Sequence, residues 1–113
     1  MDEKRAHRRQ LMHGVAQIDG GPLAQWQPMI LLDLSVSGLS FTHPAALPQG
    51  ERRTVRFSLP GNSFLYQLGI KVVHASTLGV PYGYRIGAVF AALDQESEKA
   101  IANFLAKSLL GAR

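Results

Sequence analysis

The strongest constraint on this chain is a two-residue alternation of apolar and polar side chains, repeated in short runs between glycines and prolines. Val55, Phe57 and Leu59 alternate with Thr54, Arg56 and Ser58. Phe64, Tyr66, Leu68, Ile70 and Val72 share one face of the run Phe64 to His74, and Tyr84, Ile86, Ala88 and Phe90 alternate with Gly83, Arg85 and Gly87 in Tyr82 to Phe90. Successive strand side chains point to opposite faces, so this period predicts half-buried β-strands. Leu11 to Ile18, Met29 to Leu34 and Leu39 to Thr42 read as three more strands, with Leu39 and Phe41 on one face.

The breaks between these runs carry their own chemistry. Asp19-Gly20-Gly21-Pro22, Pro60-Gly61-Asn62 and Gly79-Val80-Pro81 are turn signals, and the prolines of His43-Pro44 through Pro48-Gln49-Gly50 leave too few ladder donors for a strand. The period then changes. Asp94 is suited to cap a helix, Glu96 and Glu98 suit its first turn, and Gly111 suits its stop. Ile101, Phe104, Leu105 and Leu109 fall on one face at helical spacing, so this helix is expected to pack on the sheet. About six strands and one helix predict an all-β architecture, an antiparallel barrel or sandwich closed by a C-terminal helix.

At 113 residues the chain has room for one core. The expected division is a flexible basic arm at 1–10, a β-barrel at 11–92 and a packed helix at 93–111, together a single domain. Cysteine is absent, which excludes disulfides, thiolate metal ligands and a cysteine nucleophile. His7, His13, His43 and His74 have no metal-ligand spacing, so no metal site is expected. The charged start lacks an apolar leader and the apolar runs are too short to span a bilayer, so a cytoplasmic protein without membrane insertion is the expectation.

The formal net charge is +4, and its distribution is informative. Lys4, Arg5, Arg8 and Arg9 crowd the N-terminus, while Arg52, Arg53 and Arg56 form a second cluster that reads as a solvated strand edge. Both clusters point to a phosphate-bearing partner. No stripe of exposed aromatics interleaves them, which argues against a single-strand nucleic-acid platform. Neither a P-loop nor a serine–histidine grouping is present, and no enzyme is expected.

Two constellations carry the ligand chemistry. Arg5 and Arg9 stand four residues apart in Arg5-Ala6-His7-Arg8-Arg9, before the first strand, and Asp33-Leu34-Ser35-Val36-Ser37-Gly38 occupies the turn between the second and third strands. Together they resemble the RxxxR and [D/N]xSxxG signatures of the PilZ family, and the segment Tyr84 to Phe90 resembles that family's last strand. The resemblance covers almost the whole chain. It implies a six-stranded antiparallel β-barrel and a bacterial receptor for the second messenger cyclic di-GMP, with no cofactor.

By the resemblance, Arg5 and Arg9 contact phosphate and guanine, and Asp33, Ser35 and Gly38 shape the base-facing side. Chemistry supports such roles: a guanidinium pairs bidentately with phosphate or guanine O6 and N7, and a carboxylate accepts from guanine N–H groups. Gly38 is expected to supply a positive φ where the chain reverses. Arg8 is a further candidate contact in the same arm, and Trp26 is expected to cover the core or a loop. Lys4 stands where many family members have another arginine, which leaves open whether one or two ligands bind. The implied partner is a downstream protein controlling motility, adhesion or polysaccharide synthesis. The alternative within the family is a protein-interaction adaptor that binds no nucleotide.

Overall fold

A computed structural model describes residues 10–20, 25–59 and 64–111. Lys4, Arg5, Arg8 and Arg9 of the expected arm lie outside the described residues, as do part of the turn at 19–22 and all of the turn at 60–62. Six strands appear: β1 (Gln10–Ile18), β2 (Gln27–Leu34), β3 (Gly38–His43), β4 (Arg52–Ser58), β5 (Leu65–Gly79) and β6 (Gly83–Ala92). One helix, α1 (Gln95–Gly111), follows. The strands form a closed barrel in the order β1-β2-β3-β6-β5-β4, with every pairing antiparallel.

The alternation read from the sequence becomes the barrel interior. Ile18, Leu31, Leu34, Leu39, Phe41, Val55, Phe57, Ile70, Val72 and Ile86 are all buried, and Tyr66 and Leu68 join them. Phe64 departs from the pattern: it precedes β5, is 61% exposed and stands edge-on to Tyr66 at 4.8 Å. Each buried Leu, Ile or Phe contributes about 1.5–3 kcal/mol relative to exposure, so this interior is the main source of stability. Ile101 and Leu105, one helical turn apart on α1, belong to the same apolar cluster, with Phe104 partly buried beside them. Among the described residues no helix is long and apolar enough to cross a membrane.

Local chemistry fixes the start of α1. Asp94 Oδ1 accepts from the Ser97 backbone N–H at 2.7 Å, and the Ser97 hydroxyl lies 3.2 Å from Oδ2. A carboxylate accepting from otherwise unsatisfied amides is favoured in its charged form, and the Ser97 backbone bond holds the Asp94 pKa below its ordinary value.

Of the arginines of β4, Arg56 is paired on both sides, by β1 and β5, whereas Arg52 and Arg53 pair with β5 alone. Arg53 pairs with Glu51 at 2.6 Å and donates to the Asp19 carbonyl at 2.7 Å. Arg56 lies 3.9 Å from the centroid of the Trp26 ring and donates to Gln17 at 2.8 Å. Two of the three arginines thus hold the β1–β2 connection to β4, and Trp26 is the stacking surface of Arg56.

Candidate functional site

Two neighbouring residues set the position of Asp33. Leu31 pairs with Phe41 of β3, whereas Asp33 pairs with Ser40 and Leu34 with Leu39. One extra residue, Leu32, therefore sits in β2 as a β-bulge. Strict alternation from Met29 and Leu31 would carry Asp33 into the core. The bulge reverses that phase, so Leu34 points inward with Leu39 while Asp33 shares the outer face with Ser40.

On that face Asp33 meets a cation. Arg85 Nη2 lies 2.7 Å from Asp33 Oδ2 and donates also to Ser40 Oγ at 3.3 Å. Asp33 is only 2% exposed, while the Arg85 side chain is 47% exposed. One end of the guanidinium thus clamps a buried carboxylate, and the other faces solvent with N–H donors to spare. Residues 52–93 contain five arginines and lysines and no Asp or Glu, so β4, β5 and β6 bring cations without countercharges of their own.

The turn after Asp33 is built around Ser35. Its hydroxyl accepts from the backbone N–H groups of Ser37 and Gly38, both at 3.2 Å, and lies 3.0 Å from Ser37 Oγ. Its own N–H donates to the Gly38 carbonyl at 2.8 Å. With 1% exposure, Ser35 shapes the loop from within. Gly38 is required for a reason other than the expected one. Its φ is not positive; instead a Cβ there would collide with the Ala88 carbonyl oxygen and lie 2.9 Å from Val89 Cα. Only a residue without a side chain lets the turn close onto β6, where Phe90 N–H donates to the Ser37 carbonyl at 2.9 Å.

The structure thus brings Asp33, Ser35 and Gly38 into one rigid turn and adds Arg85 and Ser40, which sequence reasoning missed. Arg85 was legible only as an outward residue of its strand; its meeting with Asp33, 52 positions away, depends on the non-sequential β3–β6 pairing. Arg5, Arg8 and Arg9 lie outside the described residues. The chain nevertheless enters the barrel beside this turn, since Gln10 pairs with Leu34 and Leu11 with Asp33.

A separate cleft of about 480 Å³ opens where Phe64 and Tyr66 meet the start of α1. Asp94 and Glu96 line it, so a dianionic ligand is better served by the Arg85 face. Among the described residues no group of three or more His, Asp or Glu side chains could hold a metal ion. His43 turns inward, its Nδ1 within 3.0 Å of the Ala45 carbonyl.

Comparison with known proteins agrees with the fold. No curated protein matches the sequence. Among solved structures, Bacillus subtilis MotI/DgrA, an inhibitor of motility, superposes with a TM-score of 0.79 at 13% identity, over 95% of this chain and 52% of that one. The PilZ domain of Escherichia coli YcgR with c-di-GMP gives 0.70 at 15% identity, over 97% and 95% of the two chains. YcgR in complex with c-di-GMP gives 0.78 at 16% identity, over 97% of this chain and 48% of that one. The chain therefore spans about half the length of MotI and of that YcgR chain. These likenesses establish the fold. The PilZ domain family model matches residues 3–107, taking in the arginine arm, every strand and most of the helix, and the chain belongs to the PilZ domain family.

Proposed function

We propose that this protein is a receptor for cyclic di-GMP that signals to a partner protein and carries out no catalysis itself. The observation that carries the reading is the outward-turned Asp33, held by Arg85 at the mouth of the turn where β1 begins. Cyclic di-GMP offers two phosphodiester charges and two guanines. Asp33 provides an acceptor for guanine N–H donors, and the solvent-facing end of Arg85 provides donors for phosphate. The YcgR and MrkH domains that share this fold were solved with c-di-GMP bound.

Arg5 and Arg9 complete the site in this reading. Arg9 adjoins Gln10, whose partner is Leu34, and Arg5 is five residues from Gln10, a reach of at most about 18 Å. Both guanidinium groups can therefore close over a ligand resting on Asp33, with Arg8 as a third contact. Engagement of the arm changes the surface seen by a downstream protein, which is how binding becomes a signal.

Isothermal titration tests the proposal with cyclic di-GMP, cyclic di-AMP and GTP in parallel. Saturable binding of cyclic di-GMP alone, weakening with added salt, is expected. A folded, full-length protein that gives no heat and no amide shifts with cyclic di-GMP would overturn it and leave the protein-only adaptor. Competition by DNA at physiological salt would point instead to general polyanion binding.

A further inference from the structure

The outer wall of β4, β5 and β6 carries a second concentration of charge. Arg52 is the cross-strand partner of Lys71, and Lys71 of Val89, so these three exposed side chains stand in one row on one face. Like charges directly opposite each other in an antiparallel pair are destabilising. The nearby carboxylates do not relieve this pair, because Asp19 and Glu51 both go to Arg53, at 3.6 and 2.6 Å. Among the described residues no carboxylate lies within ion-pair distance of Arg52 or Lys71. Beside the row the wall is hollow. Gly69 faces Thr54 of β4, and a cleft of about 250 Å³ opens over it, rimmed by Arg52, Arg53 and Ala91. Asp19 also lines the cleft, its Oδ2 accepting from the Thr54 N–H at 2.8 Å. Neither backbone nor packing requires a glycine at 69. Its φ is not positive, and among the described residues a Cβ there would meet the Ala91 Cβ alone, at 3.9 Å, an ordinary contact. The bulge beside it puts its extra residue, Ala91, on β6. Glycine inside a strand weakens it and often marks a place where another molecule comes close.

We infer that this wall docks an acidic segment of a partner protein, with one carboxylate between Arg52 and Lys71 and a neighbouring side chain over Gly69. The inference rests on the proposed signalling role for the existence of a partner, and on the wall's own charges for its chemistry. Arg52, Arg53, Arg56 and Lys71 stand against two carboxylates, both bound to Arg53, so the wall has positive charge in excess. A carboxylate set between Arg52 and Lys71 turns their repulsion into two charge-assisted bonds. The cleft is smaller than the roughly 300–1,000 Å³ of small-molecule sites, which suits one side chain of a longer segment. Val89, 38% exposed beside Lys71, adds an apolar contact that a protein segment can use and a phosphodiester backbone cannot. Trp26 is already stacked on Arg56, so its ring offers no platform for bases there. The same row continues from Val89 to Gly38, which puts Lys71 two strand spacings, about 10 Å, from the Asp33–Gly38 turn. A docked segment therefore lies next to the proposed messenger site.

Amide chemical shifts of the full chain, titrated with a short peptide of alternating aspartate and leucine, test the inference. Shifts should concentrate at Arg52, Thr54, Gly69, Lys71 and Val89 and saturate with a Kd below about 1 mM at low ionic strength, weakening as salt is added. Lys71→Glu should weaken the peptide at least about tenfold, and by pairing with Arg52 it should hold or raise the melting temperature. Gly69→Val fills the cleft without changing charge, and it should also weaken the peptide at least about tenfold with the circular dichroism spectrum unchanged. Cyclic di-GMP binding should stay within about twofold of wild type in both variants. No shifts at millimolar peptide, shifts on another face, or equal binding of a glutamine-for-aspartate peptide would each overturn the inference. So would inorganic phosphate moving the same amides as strongly, which would leave a bare anion site, or a single-stranded oligonucleotide binding there more tightly than the peptide. A tenfold loss of cyclic di-GMP binding in Lys71→Glu would overturn it too, assigning these cations to the messenger. Wild-type protein that takes the peptide on this wall but gives no heat with cyclic di-GMP would sink the receptor reading and leave the docking surface standing.

Discussion

Replacing Arg85 with Ala tests how the outer face is organised. The change takes from a carboxylate that is 2% exposed a charged donor at 2.7 Å. Breaking a fully buried ion pair costs about 3–5 kcal/mol, because the remaining charge stays desolvated. Arg85 itself is 47% exposed, so water can enter the space it leaves, and the cost falls to about 1–3 kcal/mol, in the range of one hydrogen bond to a charged group. For a domain near this size that corresponds to about 4–12 °C in Tm. Urea denaturation of wild type, Arg85→Ala, Asp33→Ala and the double variant gives the coupling between the two side chains. A coupling of at least about 1 kcal/mol is expected. In the same variants, loss of Arg85 should weaken cyclic di-GMP binding about tenfold, the equivalent of about 1.4 kcal/mol for one charge-assisted phosphate contact. A coupling below about 0.3 kcal/mol would refute the clamp, since residues in real contact rarely add so closely.

Other expectations follow from the same geometry. Gly38→Ala forces a methyl group into the Ala88 carbonyl and should cost about 1–3 kcal/mol in denaturant unfolding, with ligand binding lost alongside. Arg5→Ala and Arg9→Ala should each weaken cyclic di-GMP binding at least about tenfold by titration. Both should leave the thermal midpoint within about 1 °C of wild type, and Arg113→Ala should change neither quantity. Asp94 has its pKa lowered in the folded protein, chiefly by the Ser97 backbone bond, so its stabilisation is present above the unfolded value and lost as pH falls through the folded one. Melting curves of wild type and Asp94→Ala should therefore differ at neutral pH and draw together as pH falls below the ordinary carboxylate range.

Much of the barrel was legible because a period of two is a local property. Val55, Phe57, Tyr66, Leu68, Ile70 and Ile86 announce their faces through their immediate neighbours, and the Asp94 cap and the Ile101–Leu105 spacing announce the helix in the same way. What escaped was set by contacts distant in sequence. The bulge at Leu32 leaves no mark in an apolar run, yet it decides whether Asp33 faces the core or Arg85 on the outer side of the barrel wall. Gly38 reads as a turn glycine, but the approach of β6, some 50 residues on, is what demands it. Phe64 matches the apolar phase of β5 and still lies outside, because the strand begins one residue later and ring contact with Tyr66 covers only part of it. The Asp33–Ser35–Gly38 turn was visible as a motif, whereas Arg85 required the closed barrel.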